Sequence, residues 1–272
     1  MLSLGPVPMP LVLLIVSVVM AAIVGRVAAR APGQPPVRVM STFIDMLLVG
    51  LIAGRVVFVL QWLPLYRADP WSILRPGDGG YSVWAGVLAA LAFGVWVTRR
   101  DDVRRRSLAY GTAAGLATWA VLAGSIALLE RAYIQLPQTP LTRLEGGSVQ
   151  LSTLSDQPIV VNLWATWCPP CRREMPVLAQ AQRAHPEVTF VFVNQGEDAA
   201  DIHRYLENGP LQLRNVMLDP FSSISQATGA RGLPTTLFFD RQGRMVDTHV
   251  GELTRAGLAH KLRQFTIAAG RP

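Results

Sequence analysis

Trp164-Ala165-Thr166-Trp167-Cys168-Pro169-Pro170-Cys171 holds both cysteines of this 272-residue chain. A structural zinc site needs about four ligands, and the four histidines, His185, His203, His249 and His260, supply no metal-ligand spacing. They read as surface or satisfied residues, and no metal is expected. A framework of structural disulfides needs more cysteines and longer loops. Two readings remain: a dithiol that cycles between reduced and oxidised, or an inert disulfide closing a tight turn. The flanks favour the first. Pro158 to Leu163 is an apolar, β-rich run, and Arg172 to Ala184 favours a helix. A strand-to-helix junction there sets Cys168 at a helix N-terminus.

That placement has chemical consequences. The thiolate is the nucleophile, and unpaired N–H groups with the helix dipole stabilise negative charge at a helix start. Such a cysteine can titrate at roughly 3.5–7.5. Cys171 lies one turn further in, is expected to be more buried, and is placed to resolve a mixed disulfide. Pro169 and Pro170 suit a first turn, where no N–H is needed for the helix.

The run VVNLWATWCPPCRREMP resembles the active site of TlpA-like thioredoxins of the ResA and CcmG type. Gly232-Leu233-Pro234-Thr235-Thr236-Leu237-Phe238-Phe239-Asp240 agrees with it. By that resemblance Pro234 is cis and lines the substrate groove beside the cysteines, with Leu233, Trp167, Pro169 and Pro170 around it. The resemblance covers about residues 142–268 and implies a thioredoxin-like α/β domain. Asn162 stands where thioredoxins proper carry a buried aspartate. It reads either as a site residue or as a satisfied buried amide. Glu174 resembles the acidic residue that the family sets beside the cysteines, where a carboxylate tunes a thiol or accepts a proton. The alternative is a solvated first-turn glutamate favoured by the helix dipole. Arg172 and Arg173 read as surface charges. No cofactor is implied.

The rest of this half alternates. Strands are expected at Val188–Asn194, Val216–Leu218, Thr235–Asp240 and Met245–Val250, and helices at Asp198–Glu207, Ser222–Thr228 and Thr254–Thr266. That order suits a mixed sheet with helices on both faces, and about 125 residues are enough for one core.

The first half is different material. Four apolar stretches, about 7–27, 40–61, 81–98 and 107–129, approach the roughly 20 residues that a bilayer-spanning helix needs. We therefore expect an all-α transmembrane bundle of four helices over 1–129, a linker over 130–147 and a thioredoxin-like domain over 142–272. No Lys or Arg precedes the first stretch, as a cleavable signal would have. Of the net charge of +7, residues 1–140 carry +6, with twelve Arg against six acidic residues. Residues 141–272 are near balance, so a nucleic-acid partner is not expected. The excess falls in two loops, around Arg26, Arg30 and Arg38 and over Arg99–Arg106. The loop 62–80 balances Arg67 and Arg75 against Asp69 and Asp78. The positive-inside rule puts the Arg-rich loops in the cytoplasm. Both termini and the redox domain then face the periplasm, the chain being multi-pass in a bacterial inner membrane.

Asp45, Gly50, Gly54-Arg55 and Tyr81-Ser82-Val83-Trp84-Ala85-Gly86 resemble the N-terminal part of prolipoprotein diacylglyceryl transferase. Trp84 replaces that family's functional histidine, and its later catalytic motifs are missing. The resemblance thus implies a truncated relative serving as anchor, docking surface or lipid-contacting module. Arg55 reads either as snorkelling to the interface or as touching lipid headgroups. Gly50/Gly54 and Gly111/Gly115 have a spacing that allows close helix approach.

The expected function is a membrane-anchored periplasmic thiol–disulfide oxidoreductase, with disulfide reduction favoured by resemblance. Catalytic roles fall to Cys168, Cys171, Pro234 and Glu174. Expected partners are periplasmic thiol or disulfide proteins, the lipid bilayer and a membrane electron-conducting protein, since residues 1–140 contain neither cysteine nor histidine. The alternatives are a diverged diacylglyceryl transferase-like lipid enzyme and a non-enzymatic membrane adaptor.

Overall fold

A computed structural model describes residues 3–4, 7–29, 39–129, 134–154, 156–209 and 211–269. They form two compact units. One comprises 1–61 and 81–132, the other 62–80 and 133–272.

The first unit is helical. After a two-residue hairpin, β1 (Ser3–Leu4) and β2 (Val7–Pro8), come α1 (Met9–Ala28), α2 (Val39–Gln61), α4 (Val83–Thr98) and α5 (Asp102–Leu129). A short α3 (Leu63–Ala68) lies between α2 and α4 in sequence and belongs to the second unit. Helices thus occur where four spans were expected, but among the described residues only Met40–Gln61 is both long and apolar enough to cross a membrane. The reason is local. The described apolar stretch of α1 is Val12–Ala28, the α4 helix has 16 residues, and α5 carries Arg104, Arg105 and Arg106 near its start and continues with many glycines, alanines and threonines. Arg30, Arg38 and the linker residues 130–133 lie outside the described residues.

Small residues bring these helices together. The α2 helix packs on α4, and α1 on α5. A Cβ on Gly50 would lie 2.9 Å from the Gly86 carbonyl oxygen, and one on Gly111 would lie 2.6 Å from that of Ala21. Ser107 donates to the Gly25 carbonyl at 2.6 Å. Arg55 stacks its guanidinium over the Tyr81 ring at 5.6 Å, Asp45 is exposed, and Trp84 is exposed on α4.

The second unit is an α/β domain around one mixed sheet of order β4-β3-β7-β6-β5-β8-β9. Its strands are β3 (Leu141–Arg143), β4 (Ser148–Val149), β5 (Ile159–Trp164), β6 (Thr189–Gln195), β7 (Val216–Asp219), β8 (Thr235–Phe239) and β9 (Met245–Val250). Its helices, besides α3, are α6 (Pro169–Ala184), α7 (Ala199–Glu207), α8 (Ser223–Thr228) and α9 (Arg255–Ala269). β5 runs parallel to β6 and antiparallel to β8. Buried on both faces, it reads as the continuous apolar run that such a position requires. Val160 and Trp164 join one core, and Ile159, Val161 and Leu163 the other.

Two segments depart from the sequence reading. The latter part of the expected linker is folded. Leu136 and Leu141 are buried, the Leu136 N–H donates to Gly243 O, and β3 pairs with β7. Gly146 and Gly147 adopt positive φ in the β3–β4 turn, where glycine is favoured. The loop 62–80 is structured too. Besides α3 it forms two 3₁₀ turns, Pro70–Leu74 and Pro76–Asp78.

The close helix approach generates a prediction. Gly50→Leu in the full chain should lower the thermal midpoint in detergent by an overpacking cost of about 1–3 kcal/mol. Gly124→Leu, with nothing within 4 Å of its Cβ, should not. Equal effects would refute the packing account.

Candidate functional site

Cys168 is the N-cap of α6, with β-region backbone angles. Its Sγ accepts from the Cys171 N–H at 3.3 Å. The two cysteines form a disulfide of 2.05 Å with Cα atoms 5.3 Å apart. Cys171 is fully buried and Cys168 nearly so. The donors that bond a capping sulfur are those that would face a thiolate once the disulfide is opened.

Above the disulfide lies an open groove of about 570 Å³. Trp167, Cys168, Pro169 and Pro170 line one side, and Gly232 and Leu233 another. The Leu233–Pro234 bond is cis. Pro234 itself is buried, so the wall is built from the residues just before it. Trp167 is exposed at the rim.

Beneath the groove is a polar cluster. Asn162 of β5 donates through Nδ2 to Glu174 Oε1 at 2.8 Å and to Thr236 Oγ1 at 3.1 Å. The Leu253 N–H donates to Glu174 Oε2 at 2.9 Å. Glu174 has no exposed surface, so a solvated first-turn glutamate is not what the fold contains. Burial pushes its carboxyl from 4.5 up to about 7, and the negative charge of Glu252 adds to the rise. The bonds from Leu253 and Asn162 pull the other way. Desolvation thus outweighs hydrogen bonding, leaving a carboxyl that exchanges a proton near neutrality, one turn along α6 from Cys171.

Four residues depart from or extend the sequence reading. Arg173 is not a simple surface charge, because its Nη2 lies 2.7 Å from Glu252 Oε2. Arg172 places its guanidinium over the Tyr205 ring at 5.8 Å. His249 is buried, and its Nε2 has no partner among the described residues. Burial and the charge of Lys261 hold it below the ordinary histidine value. Glu197 was not anticipated. Its carboxylate accepts from the Thr166 N–H at 2.7 Å, from the Thr166 hydroxyl and from Asn194 Nδ2 at 2.6 Å. It braces the loop that leads into Cys168. The only sequence signal was its position just after a buried strand. Arg55 lies in the helical unit, apart from this cluster in the chain's division.

Comparison with known proteins gives a family match for each half of the chain. A family model described as Redoxin matches residues 132–262, and one described as prolipoprotein diacylglyceryl transferase matches residues 5–127. The thiol-disulfide oxidoreductase ResA of Halalkalibacterium halodurans is 33% identical over 128 residues, 46% of this chain and 72% of the relative. That of Bacillus subtilis is 29% identical over 139 residues, 50% of this chain and 76% of the relative. Among solved structures, a putative thiol:disulfide interchange protein DsbE from Chlorobium tepidum is 29% identical, with a TM-score of 0.45. The match covers 50% of this chain and 96% of that one.

The buried carboxyl makes stability depend on pH. Its folded value of about 7 exceeds the ordinary 4.5, so the protonated form favours folding. The contribution is complete below about pH 4.5 and is lost as pH rises through about 7, on a scale of roughly 3 kcal/mol. Glu174→Gln, which keeps the shape and cannot ionise, should flatten the fall in thermal midpoint across that range. An unchanged slope would show that the charge is accommodated at no cost.

Proposed function

This chain belongs, through its C-terminal half, to the Redoxin family of ResA-like thiol–disulfide oxidoreductases, and we propose that it reduces disulfides of exported proteins from a membrane anchor. The observation that carries the reading is the disulfide at the α6 N-terminus, with Cys168 lining an open groove and the buried Glu174 three residues past Cys171 in the same helix.

The reaction balances as two exchanges. The Cys168 thiolate attacks one sulfur of a substrate disulfide. That S–S bond breaks, a mixed disulfide forms, and the departing substrate sulfur takes a proton. Cys171 then loses its proton to Glu174 and attacks the Cys168 sulfur. The second substrate thiol is released and the Cys168–Cys171 disulfide closes. Two electrons have passed to the substrate, so turnover needs a reductant of the dithiol class to reset the pair. With no cysteine in residues 1–140, the reading assigns that role to another membrane protein that conducts reducing equivalents. Trp167, Pro169, Pro170 and Leu233 shape the groove, Pro234 supports its wall, and Asn162 holds Glu174.

The remaining features support an extracytoplasmic, multi-pass arrangement. Residues 62–80 and 133–272 fold as one unit, which requires them on the same side of any membrane. Arg-rich segments such as 99–106 lie on the other side by the positive-inside rule. The transferase-like match over 5–127 supports lipid contact by the helical unit, with Arg55, stacked over Tyr81, as the candidate contact. The exposed Trp84 in place of that family's histidine speaks against transferase chemistry.

Two measurements test the reading. Cys168→Ser should abolish exchange with a protein disulfide, while Cys171→Ser should accumulate a mixed disulfide through Cys168. Accumulation through Cys171 instead, in the Cys168→Ser protein, would reverse the assignment. Reporter fusions after Asp78 and Gly147 should both report the periplasm and a fusion after Arg106 the cytoplasm. A cytoplasmic signal after Gly147 would overturn the localisation.

A further inference from the structure

Four residues, 251–254, touch several parts of the dithiol site. The Gly251 N–H donates to Pro234 O at 2.9 Å. The Leu253 N–H donates to Glu174 Oε2 at 2.9 Å. Between them, Glu252 pairs with Arg173 of α6. This short turn therefore bears at once on the groove wall and on the buried carboxyl.

The same turn is gripped from elsewhere in the chain. Arg75 Nη1 lies 2.5 Å from Glu252 Oε1. The Thr254 hydroxyl donates to Asp78 Oδ2 at 3.0 Å while accepting from the Gly257 N–H, which caps α9. Asp78 is 1% exposed and also accepts from the Tyr66 hydroxyl at 2.8 Å and from the Gly80 N–H at 3.0 Å. The approach is close enough that a Cβ on Gly257 would fall 2.6 Å from the Asp78 carbonyl oxygen. Trp62 sets its ring edge-on to His260 of α9, with centroids 6.1 Å apart. A buried aspartate is costly unless every oxygen is satisfied. Three donors converging on Asp78, one of them 176 residues away in sequence, mark a built seat and not a chance surface contact.

We propose that the segment Trp62–Gly80 is a positioning element of the dithiol site, acting through Arg75 and Asp78 on the 251–254 turn to keep the Leu253 N–H on Glu174. The proposal rests on the thiol–disulfide reading and adds to it a part of the chain outside the thioredoxin-like sequence. With Glu174 still buried, losing either contact acts in one direction. The Leu253 N–H favours the ionised carboxylate, so a loosened turn raises the protonation midpoint of Glu174. Arg75 offsets the charge of Glu252, so its removal raises the midpoint again. The groups reaching Glu174 from the other packed elements, Asn162 and through it Thr236, are neutral. The charged ones are Glu252 and, through it, Arg75 and Arg173.

The test uses the full chain in lipid nanodiscs, following the rate of thiol exchange with a small disulfide against pH. Glu174→Gln identifies the step that belongs to Glu174. Arg75→Ala and Asp78→Ala should each move that step upward by about half a pH unit or more, slowing exchange near pH 7 about twofold. Arg75→Lys should stay near the wild-type position, and Arg204→Ala, which removes an exposed pair with Asp201, should leave it unmoved. Should Asp78→Ala fail to fold, Arg75→Ala, whose side chain is 40% exposed, carries the test alone. A lowered thermal midpoint with an unmoved Glu174 step would overturn the proposal, reducing the segment to a packing role. A wild-type chain with no exchange at all would overturn the thiol–disulfide reading itself, a result distinct from the first.

Discussion

A carboxyl group without access to water must be given partners or kept protonated, and much of the redox unit is arranged around that requirement at Glu174. Helix α6 brings the carboxyl inward on the face that also buries Cys171, Met175 and Leu178. Strand β5 answers with Asn162, and β8 steadies the amide with Thr236. The turn before α9 answers with the Leu253 N–H. Donors from β5 and from the turn before α9 thus meet at one pair of oxygens, and the same helix is capped by Cys168. Position and proton affinity are set together.

The two ends of α6 chemistry differ in what they need. At Cys168 the helix start offers N–H groups to a negative sulfur. Cys171 lies deeper and is fully buried. In the proposed mechanism Glu174, one turn on, accepts the Cys171 proton. Glu197 fixes the approach to the first cysteine by holding Thr166, and the 251–254 turn fixes the approach to the second. The site depends on these supports as much as on the cysteines.

Much of this was legible in the sequence where the signal was local. The β5–CxxC–α6 junction, strands β8 and β9 and helix α7 depend on residues close in the chain, and the structure has β8, β9 and α7 within a residue of the expected bounds. Glu174 and Asn162 were visible as candidates, but their meeting was not, because the 2.8 Å bond joins two elements whose packing no local pattern encodes. Trp62–Gly80 was legible only as a charge-balanced loop, since Asp78 finds Thr254 only in the folded chain. The prolines and glycines of 134–147 read as linker although Leu136 and Leu141 are core residues. In the helical unit, long apolar stretches located the helices. Length leaves α4 and the described apolar stretch of α1, Val12–Ala28, short of a span, and small residues dilute α5, so one clear span stands out among the described residues.

The central claim is that the α6 N-terminus makes Cys168 the attacking thiolate. The most direct test is the pH dependence of alkylation at each cysteine in the reduced full chain. The account predicts that Cys168 reacts first, with a midpoint within roughly 3.5–7.5. A midpoint at or above the free-cysteine value of about 8.5, or faster labelling of Cys171, would contradict it.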